Sequence, residues 1–194
     1  MRDPPRRRAT YDDLLRLPEH VVGEIIDGEL IVSPRPAPRH AQAASVLGGD
    51  LGPPFHRGRG GPGGWWILDE PELHFGDQVL VPDLAGWRRA RLPALPETAY
   101  FEVAPDWVCE VISPSTTTVD RARKLPIYAH ERVGHIWLVD PLARSLEVFR
   151  WTEAGWLLAA VHHDDEQVRA EPFAAVELEI GGWWTGLAET KSEG

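Results

Sequence analysis

The sequence predicts a single α/β domain in which strands and helices share one hydrophobic core. At 194 residues the chain has the size of an ordinary domain and can bury a core without a disulfide or a structural metal. Two short apolar runs, residues 107–112 and 136–139, have the pattern of buried central strands. Residues 40–51 and 118–131 have the composition and spacing of helices. We therefore expect one domain over residues 10–185.

The N-terminal part is predicted to form a short helix followed by a β-hairpin. Thr10 is placed to cap the helix, and Pro18 ends it. Asp27 and Gly28 then supply the positive φ angles of a tight turn between two strands. The strands of this N-terminal hairpin are predicted at residues 22–26 and 29–32.

The rest of the chain is predicted to alternate strands with loops around one more helix. Residues 58–64 contain five glycines but lack the Gly-Lys-Ser/Thr ending of a phosphate-binding loop, so they are interpreted as a flexible connection. Pro126 is expected to kink the helix at residues 118–131 or to delay its start. Further strands, the last two forming a C-terminal hairpin, are predicted at residues 65–69, 73–75, 79–81, 84–87, 146–150 and 156–161.

Cysteine content and hydropathy indicate a cytoplasmic protein. The single cysteine, Cys109, excludes an internal disulfide and a zinc site built from several thiolates. The N-terminus lacks the apolar stretch of a signal peptide, and no run of about 18 apolar residues is present to span a bilayer, so no membrane partner is expected. Residues 1–9 are expected to form a disordered basic tail and residues 186–194 a polar tail.

The formal net charge of −10 argues against a protein that coats nucleic acid through bulk electrostatics. It does not argue against a nuclease, because the carboxylates of a metal site are themselves acidic. The arginines also fall in local groups, which could still bind a phosphate backbone.

Lys124 is unusual in this composition. The chain has 20 basic residues, and only Lys124 and Lys191, which lies in the C-terminal tail, are lysines. A lysine in a chain that otherwise uses arginine indicates a place where a compact ammonium is needed and a planar guanidinium will not serve. A chance occurrence is the competing interpretation until the neighbouring residues are considered.

Two carboxylates are candidates for chemistry. Glu110 is the one charged residue of the apolar run 107–112, so its carboxyl group must be paired, protonated or bound to a cation. A salt bridge to an arginine is the structural alternative. Asp83 follows Pro82 after an apolar strand, and on its own it could equally be a turn residue.

Taken together, Pro82-Asp83 and Glu110-Val111-Ile112 resemble the PD-(D/E)xK nuclease signature. In that signature two acids on adjacent strands hold Mg²⁺, and a lysine two residues after the second acid faces the same site. Residues i and i+2 of a strand share a face, which explains the spacing. Here Ile112 stands at the lysine position, which is a departure from the pattern.

This departure is similar to the Uma2 family, in which the lysine lies on the helix after the second acidic strand. Lys124 occupies that place, about two helical turns into the predicted helix, and Tyr128 and residues 134–141 continue the similarity. The resemblance runs from residue 24 to residue 141 and is loose after about residue 150.

The resemblance implies a restriction-endonuclease-like fold, with a central mixed β-sheet flanked by helices. It also implies a hydrolase that cleaves phosphodiester bonds of DNA with magnesium (Mg²⁺) or Mn²⁺ as cofactor. Asp83, Glu110 and the backbone carbonyl of Val111 would hold the metal, and Lys124 would orient the attacking water or stabilise developing negative charge. A homodimer is a further expectation, because cutting both strands is easier with two sites.

Four further residues are supporting candidates, each with an ordinary alternative. Glu24 would join the metal site or form a structural ion pair, and His40 would contact a phosphate or have a structural role. Asp120, one helical turn before Lys124, would pair with it when metal is absent. Tyr128 shares a helical face with Lys124, and core packing is its competing role.

Two other functions compete with a nuclease. A nuclease-like domain without catalysis would bind DNA or a partner protein, and both Ile112 and the net acidity favour this alternative. An interaction module for carbohydrate or protein is the second, because the chain has nine tryptophans and exposed aromatic side chains often mark binding surfaces. Most of these tryptophans are expected in the core. The segment 162–165, two histidines and two aspartates, is interpreted as a solvated loop rather than a metal site.

Overall fold

The computed structural model describes residues 7–186. Residues 1–6 and 187–194, which hold most of the two predicted tails, lie outside the described residues. Before the first helix, the backbone N–H of Ala9 donates to the carbonyl of Gly28 at 2.8 Å, which joins the start of the described chain to the first hairpin. No helix within residues 7–186 has the length and apolar content needed to cross a membrane.

Strands dominate the described chain, and the helices are short apart from α2. The helices are α1 (Tyr11–Leu14), α2 (Pro38–Leu51), α3 (Thr117–Val119) and α4 (Leu125–His130), with π-helical turns at Gly52–His56 and Asp120–Lys124 and a 3-10 helix at Ile180–Trp184. The strands are β1 (Val21–Ile26), β2 (Glu29–Pro34), β3 (Trp65–Asp69), β4 (Leu73–Phe75), β5 (Gln78–Leu80), β6 (Leu84–Arg88), β7 (Trp107–Val111), β8 (His135–Asp140), β9 (Ser145–Thr152), β10 (Gly155–His163), β11 (Gln167–Val168) and β12 (Leu178–Glu179).

A six-stranded sheet in the order β10-β9-β8-β7-β6-β3 forms the centre of the fold. Its strands β7 and β8 are parallel, and its other neighbours are antiparallel. The parallel pair is connected by a crossover through α3 and α4, as parallel strands require. A smaller sheet in the order β2-β1-β5-β4 contains the predicted N-terminal hairpin. The predicted fold class, α/β with a mixed sheet flanked by helices, is therefore confirmed.

The central strands β7 and β8 are covered on both faces, which explains why they are apolar except for Glu110 in β7 and the two terminal residues of β8. Helix α2 and the 3-10 helix pack over one face, where Leu47 and Trp183 belong to the same core cluster as Trp107. Tyr128 of α4 and Ile136 of β8 belong to a second cluster on the other face.

Most of the tryptophans belong to these cores, as the sequence predicted. Six of the nine are buried, and Trp66, Trp151 and Trp156 are half-buried. An interaction module that uses surface tryptophans therefore loses its support.

The helix predicted at residues 118–131 is present, but with an irregular centre. A π-helical turn, Asp120–Lys124, separates α3 from α4, and Pro126 lies in the first turn of α4. Proline has no N–H to donate and its ring crowds the carbonyl four residues earlier, so a wider turn just before it relieves the clash. The short strands β11 and β12 and the 3-10 helix were not predicted, because two-residue strands carry no readable periodicity.

Candidate active site

Asp83 lies directly before β6, and it is bound to the neighbouring strand. Its Oδ2 accepts a 2.7 Å hydrogen bond from the backbone N–H of Val111 in β7. Leu84 lies opposite Cys109 in the antiparallel β6–β7 pair, so Asp83 comes next to Glu110. The two acids predicted from the spacing therefore meet at the same end of adjacent strands.

His40, near the start of α2, approaches Asp83 from the opposite side. Its Nε2 lies 2.9 Å from Asp83 Oδ1, and the two side chains are 16% and 15% exposed. The contact lacks hydrogen-bond geometry, so the buried Nε2 has no hydrogen-bond partner among the described residues. Such a buried polar atom is costly to leave unpaired.

Glu110 is buried within β7, with 2% of its surface exposed. The hydroxyl of Tyr128 donates to Glu110 Oε1 at 2.7 Å, and the ammonium of Lys124 lies 3.3 Å from both carboxylate oxygens. The structural alternative considered for Glu110, a salt bridge to an arginine, is not what the structure shows. Its buried partners come instead from the helical crossover that follows β7.

Lys124 is the centre of a buried charge cluster. Besides Glu110, its Nζ lies 2.9 Å from Glu24 Oε1 and 3.3 Å from Asp120 Oδ1. Burial lowers the pKa of Lys124, but the carboxylates of Glu110, Glu24 and Asp120 outweigh that effect and leave the pKa well above its ordinary value. The lysine is therefore charged at neutral pH.

Glu24 connects the smaller sheet to this cluster. Its Oε1 accepts a 2.8 Å hydrogen bond from the backbone N–H of Val81 and also binds Lys124. Val81 stands two residues before Asp83, so Glu24 ties the lysine to the segment that carries the first acid. This position next to Lys124 is compatible with both roles considered for Glu24, a member of the metal site and a partner in a structural ion pair.

Two carboxyl groups of the cluster, those of Glu110 and Asp120, have pKa values above the ordinary range. Burial raises the pKa of Glu110 well above its ordinary range, against the opposing effect of Lys124, and the charges of Asp120, Asp83 and Glu24 raise it further. Burial also raises the pKa of Asp120. Burial and the nearby Glu110 raise the pKa of Tyr128, so its phenol stays protonated and donates.

A cleft between α2 and β3 opens onto one side of this arrangement. It has a volume of about 570 Å³, and we call it the α2–β3 cleft. Its lining includes His40, Gly49, His56, Arg57, Asp69 and Asp83. Glu110 and Lys124 do not line it, so Asp83 is the member of the predicted triad that the cleft exposes.

His56 in the α2–β3 cleft was not found by sequence reasoning, and the available signal was its position between a predicted helix and a glycine-rich loop. Arg57, which also lines the cleft, belongs to one of the local arginine groups that could bind a phosphate backbone. The segment 162–165 lies at the end of β10, where Arg144 pairs with Asp165 at 2.8 Å. Within residues 7–186, no three His, Cys, Asp or Glu side chains are arranged to hold a metal ion by themselves.

Comparisons with known proteins agree with the predicted fold and family. The model of a family named Uma2, described as "Putative restriction endonuclease", matches residues 10–181. The structure is also similar to a crystal structure from Anabaena variabilis ATCC 29413, described as a putative nuclease belonging to DUF820. The two share 26% sequence identity over 91% of this chain and 97% of that chain, with a TM-score of 0.72. No curated protein sequence matches this chain.

Proposed function

Because this chain belongs to the Uma2 family of restriction-endonuclease-like proteins, as its motifs predicted, we propose that it is a metal-dependent endonuclease that cleaves DNA. The observation that carries the proposal is the meeting of Asp83, Glu110 and Lys124. Asp83 is hydrogen-bonded to the residue after Glu110, and Lys124 binds Glu110 from the helical crossover. Two acids on adjacent strands beside one ammonium are the arrangement that the nuclease signature requires.

The donor set fits a hard divalent cation such as Mg²⁺ or Mn²⁺. Besides burial, the charges of three other carboxylates, Asp120, Asp83 and Glu24, raise the pKa of Glu110. Among the described residues, Lys124 is the one cation whose charge lowers that pKa. Excess negative charge carried by oxygen atoms is what such cations prefer. The protein would supply few ligands and leave the remaining positions to water, which is usual for Mg²⁺.

We propose Asp83, Glu110 and the backbone carbonyl of Val111 as those ligands. The N–H of Val111 donates to Asp83, and the N–H and C=O of one strand residue point to the same side, so the carbonyl is directed toward Asp83. When bound, the cation would lower the pKa of a coordinated water and neutralise charge on the phosphate.

The remaining residues position this set. Tyr128 and Lys124 hold Glu110 in one orientation, and Asp120 and Glu24 hold Lys124. The Lys124 side chain is 5% exposed and lies outside the lining of the cleft. Its ammonium would therefore act indirectly, by orienting Glu110 and by adding positive electrostatic potential at the site. His40 lies beside Asp83 within the cleft, where it can hold that carboxylate or meet a phosphate.

A cytoplasmic location accompanies this proposal, because DNA and a reducing medium are both found there. Cys109 is a free, buried cysteine, and burial raises the pKa of its thiol well above its ordinary value. A protonated, inaccessible thiol is resistant to oxidation and metal capture. The protein therefore needs no oxidising compartment.

The test is a plasmid-nicking assay with the purified chain in Mg²⁺, Mn²⁺, Ca²⁺ or EDTA. Conversion of supercoiled plasmid to nicked or linear DNA is expected with Mg²⁺ or Mn²⁺ and not with EDTA. Asp83→Asn is expected to remove the activity, because a neutral amide is a poor ligand for a hard cation. Arg16→Ala, on the exposed surface after α1, is the control and is expected to cut as the wild type does. Cleavage that persists in EDTA, or equal activity of Asp83→Asn, would overturn the proposal.

A nuclease-like domain that binds DNA without cutting it is the competing function. The observations that favour it are Ile112 at the usual lysine position and the burial of Glu110 and Lys124, which are 2% and 4% exposed. Plasmid binding in a gel-shift assay without cleavage in any of the metals would support this function over catalysis.

We also propose that two copies associate through the free edge of β10. This strand is the edge of the central sheet, and Leu157, Leu158 and Val161 on it are 46%, 49% and 52% exposed. An open apolar edge is a template for another strand. Antiparallel pairing about a two-fold axis uses the same edge of both copies, so it closes the assembly at two copies.

Light scattering coupled to size exclusion tests the dimer. The wild type is expected to elute with twice the chain mass of 21.7 kDa, and Leu158→Lys with the mass of one chain, because a charge in the apolar edge opposes pairing. Leu142→Lys, at a leucine 51% exposed outside β10, is the control and is expected to stay dimeric. At about 100 µM protein, a dimerisation free energy of about −8 kcal/mol would already give mostly dimers. A wild type that is monomeric at this concentration contradicts the proposal.

A further inference from the structure

We infer that the α2–β3 cleft binds one unpaired strand of nucleic acid, with Arg57 holding a backbone phosphate and Asp83 facing the bond to be cut. The inference rests on the proposed nuclease function and names its substrate as single-stranded or frayed DNA. It follows from the unpaired cation in the cleft, from the open space beside α2 and from the depth of Asp83.

Arg57 is a cation without a partner in a cleft that contains acids. It follows the π-helical turn after α2, and its side chain makes no hydrogen bond or ion pair with any residue of the described range 7–186. By contrast, Arg35 neutralises Glu70 at the acidic end of the cleft at 3.3 Å. A free guanidinium beside a cleft of about 570 Å³ suits a phosphate, which it can bind through two parallel N–H groups.

Strand β3 connects the side of the cleft that holds Arg57 with the side that holds Asp83. His56, adjacent to Arg57, accepts a 3.2 Å hydrogen bond at Nδ1 from the N–H of Ile67 in β3. Asp69 ends the same strand and lies opposite Leu84, the residue after Asp83. Ile67 and Asp69 are two residues, about 7 Å, apart along β3, so both sides of the cleft lie within reach of one short segment of nucleic-acid backbone.

The helix side of the cleft leaves room for such a strand. Gly48 and Gly49 both lie inside α2, where glycine is about 1 kcal/mol less favourable than alanine. Packing accounts for Gly48, because a Cβ there would lie 3.2 Å from Leu84 Cδ2. A Cβ at Gly49 would meet nothing within 4 Å, so packing does not account for this residue. His40, whose Nε2 lies 2.9 Å from Asp83 Oδ1 without hydrogen-bond geometry, also belongs to the lining.

The depth of Asp83 favours one strand over a duplex. A scissile phosphate must reach the cation that Asp83 would hold, and that side chain is 15% exposed within the cleft. Duplex backbones lie on a broad cylinder, and tight duplex binding relies on roughly 6–10 phosphate contacts. The net charge of −10 and one unpaired arginine in the cleft do not supply these contacts. A single flexible strand needs fewer contacts and can bend into the cleft.

Fluorescence anisotropy tests the inference without requiring cleavage. The probes are a fluorescein-labelled 20-nucleotide DNA strand and the same sequence as a blunt duplex, in Ca²⁺. The wild type is expected to bind the single strand at least about tenfold more tightly than the duplex. Arg57→Ala is expected to lose about tenfold in single-strand affinity, as for a charge-assisted hydrogen bond, and to lower the salt slope by about 0.7.

Two further variants separate this inference from an effect on folding. Arg59→Ala removes a nearby arginine that does not line the cleft, and it is expected to change affinity less than twofold. Gly49→Leu fills the cleft while favouring the helix, so it is expected to abolish single-strand binding with an unchanged or higher melting temperature. Equal effects of Arg57→Ala and Arg59→Ala, or unchanged binding by Gly49→Leu, would overturn the inference.

The substrate inference and the proposed catalysis fail separately. Binding of the single strand in the cleft without cleavage in Mg²⁺ or Mn²⁺ contradicts the nuclease and leaves the binding site intact. Metal-dependent cutting of duplex plasmid, with duplex bound as tightly as the single strand, supports the nuclease and overturns the single-strand inference.

Discussion

Replacing Glu110 by glutamine is expected to slow Mg²⁺-dependent plasmid cleavage by at least about a thousandfold, which corresponds to about 4 kcal/mol of transition-state stabilisation. The change keeps the size of the side chain and removes the negative oxygen that we propose as a metal ligand. Burial already raises the pKa of Glu110 well above its ordinary range, so a neutral amide is compatible with the folded environment. The activity loss should therefore come without unfolding.

Asp120→Asn is the matched control for this variant. It makes the same chemical change in a carboxylate that also contacts Lys124, at 3.3 Å, but that we do not propose as a metal ligand. We expect less than about a tenfold loss of rate. Isothermal titration with Mn²⁺ gives an independent readout, in which Glu110→Gln should lose about tenfold or more in affinity and Asp120→Asn should lose little. Cleavage by Glu110→Gln at the wild-type rate contradicts the assigned site.

Replacing Lys124 by methionine is expected to destabilise the fold by about 3–5 kcal/mol at pH 7, because a buried ion cluster loses its cation. The Lys124 side chain is 5% exposed, and its ammonium lies within 3.3 Å of Glu24, Glu110 and Asp120. Methionine fills most of the volume, so the loss reflects three carboxyl groups left without their counterion. The midpoint of urea unfolding measures the change.

The pH dependence of this destabilisation has a defined sign. Burial raises the pKa of both Glu110 and Asp120. A carboxyl group whose pKa is raised in the folded state stabilises that state at low pH. This contribution is lost as the pH rises through the folded-state pKa. The difference between Lys124→Met and wild type should therefore shrink as the pH falls from 7 toward 5.

A double variant separates charge from packing. Adding Glu110→Gln to Lys124→Met removes one of the stranded carboxyl groups, so it should recover part of the lost stability, and the two changes should not add. Equal stability of Lys124→Met and wild type at pH 7 is the result that contradicts a structural role for the ammonium.

Much of the fold could be predicted from local patterns. The strands β3 and β4 have the predicted bounds, and the helix at 40–51 begins only two residues earlier, at Pro38. These elements depend on periodicity and on turn residues such as Asp27 and Gly28, which adopt the expected positive φ angles of 55° and 79°. The π-helical turns could not be predicted, because they relieve a steric conflict that arises only once the helix has formed.

The sequence alone was sufficient to single out Asp83, Glu110 and Lys124 as candidates and to indicate the family. An acid in an apolar run and a lysine in a lysine-poor chain are unusual whatever surrounds them. The tertiary structure decided what surrounds them. Glu24 and His40 reach the site only through strand pairing and helix packing that bring distant segments together, and those contacts leave no local periodicity to read.

Exposure was likewise decided by the tertiary structure. Covering β7 on both faces shields Glu110 and Lys124, whereas Asp83, directly before β6, stays open to the cleft that Arg57 also lines. Burial is a property of the packed layers rather than of any one residue, so the sequence could name the acids and the lysine but not which of them a substrate can reach.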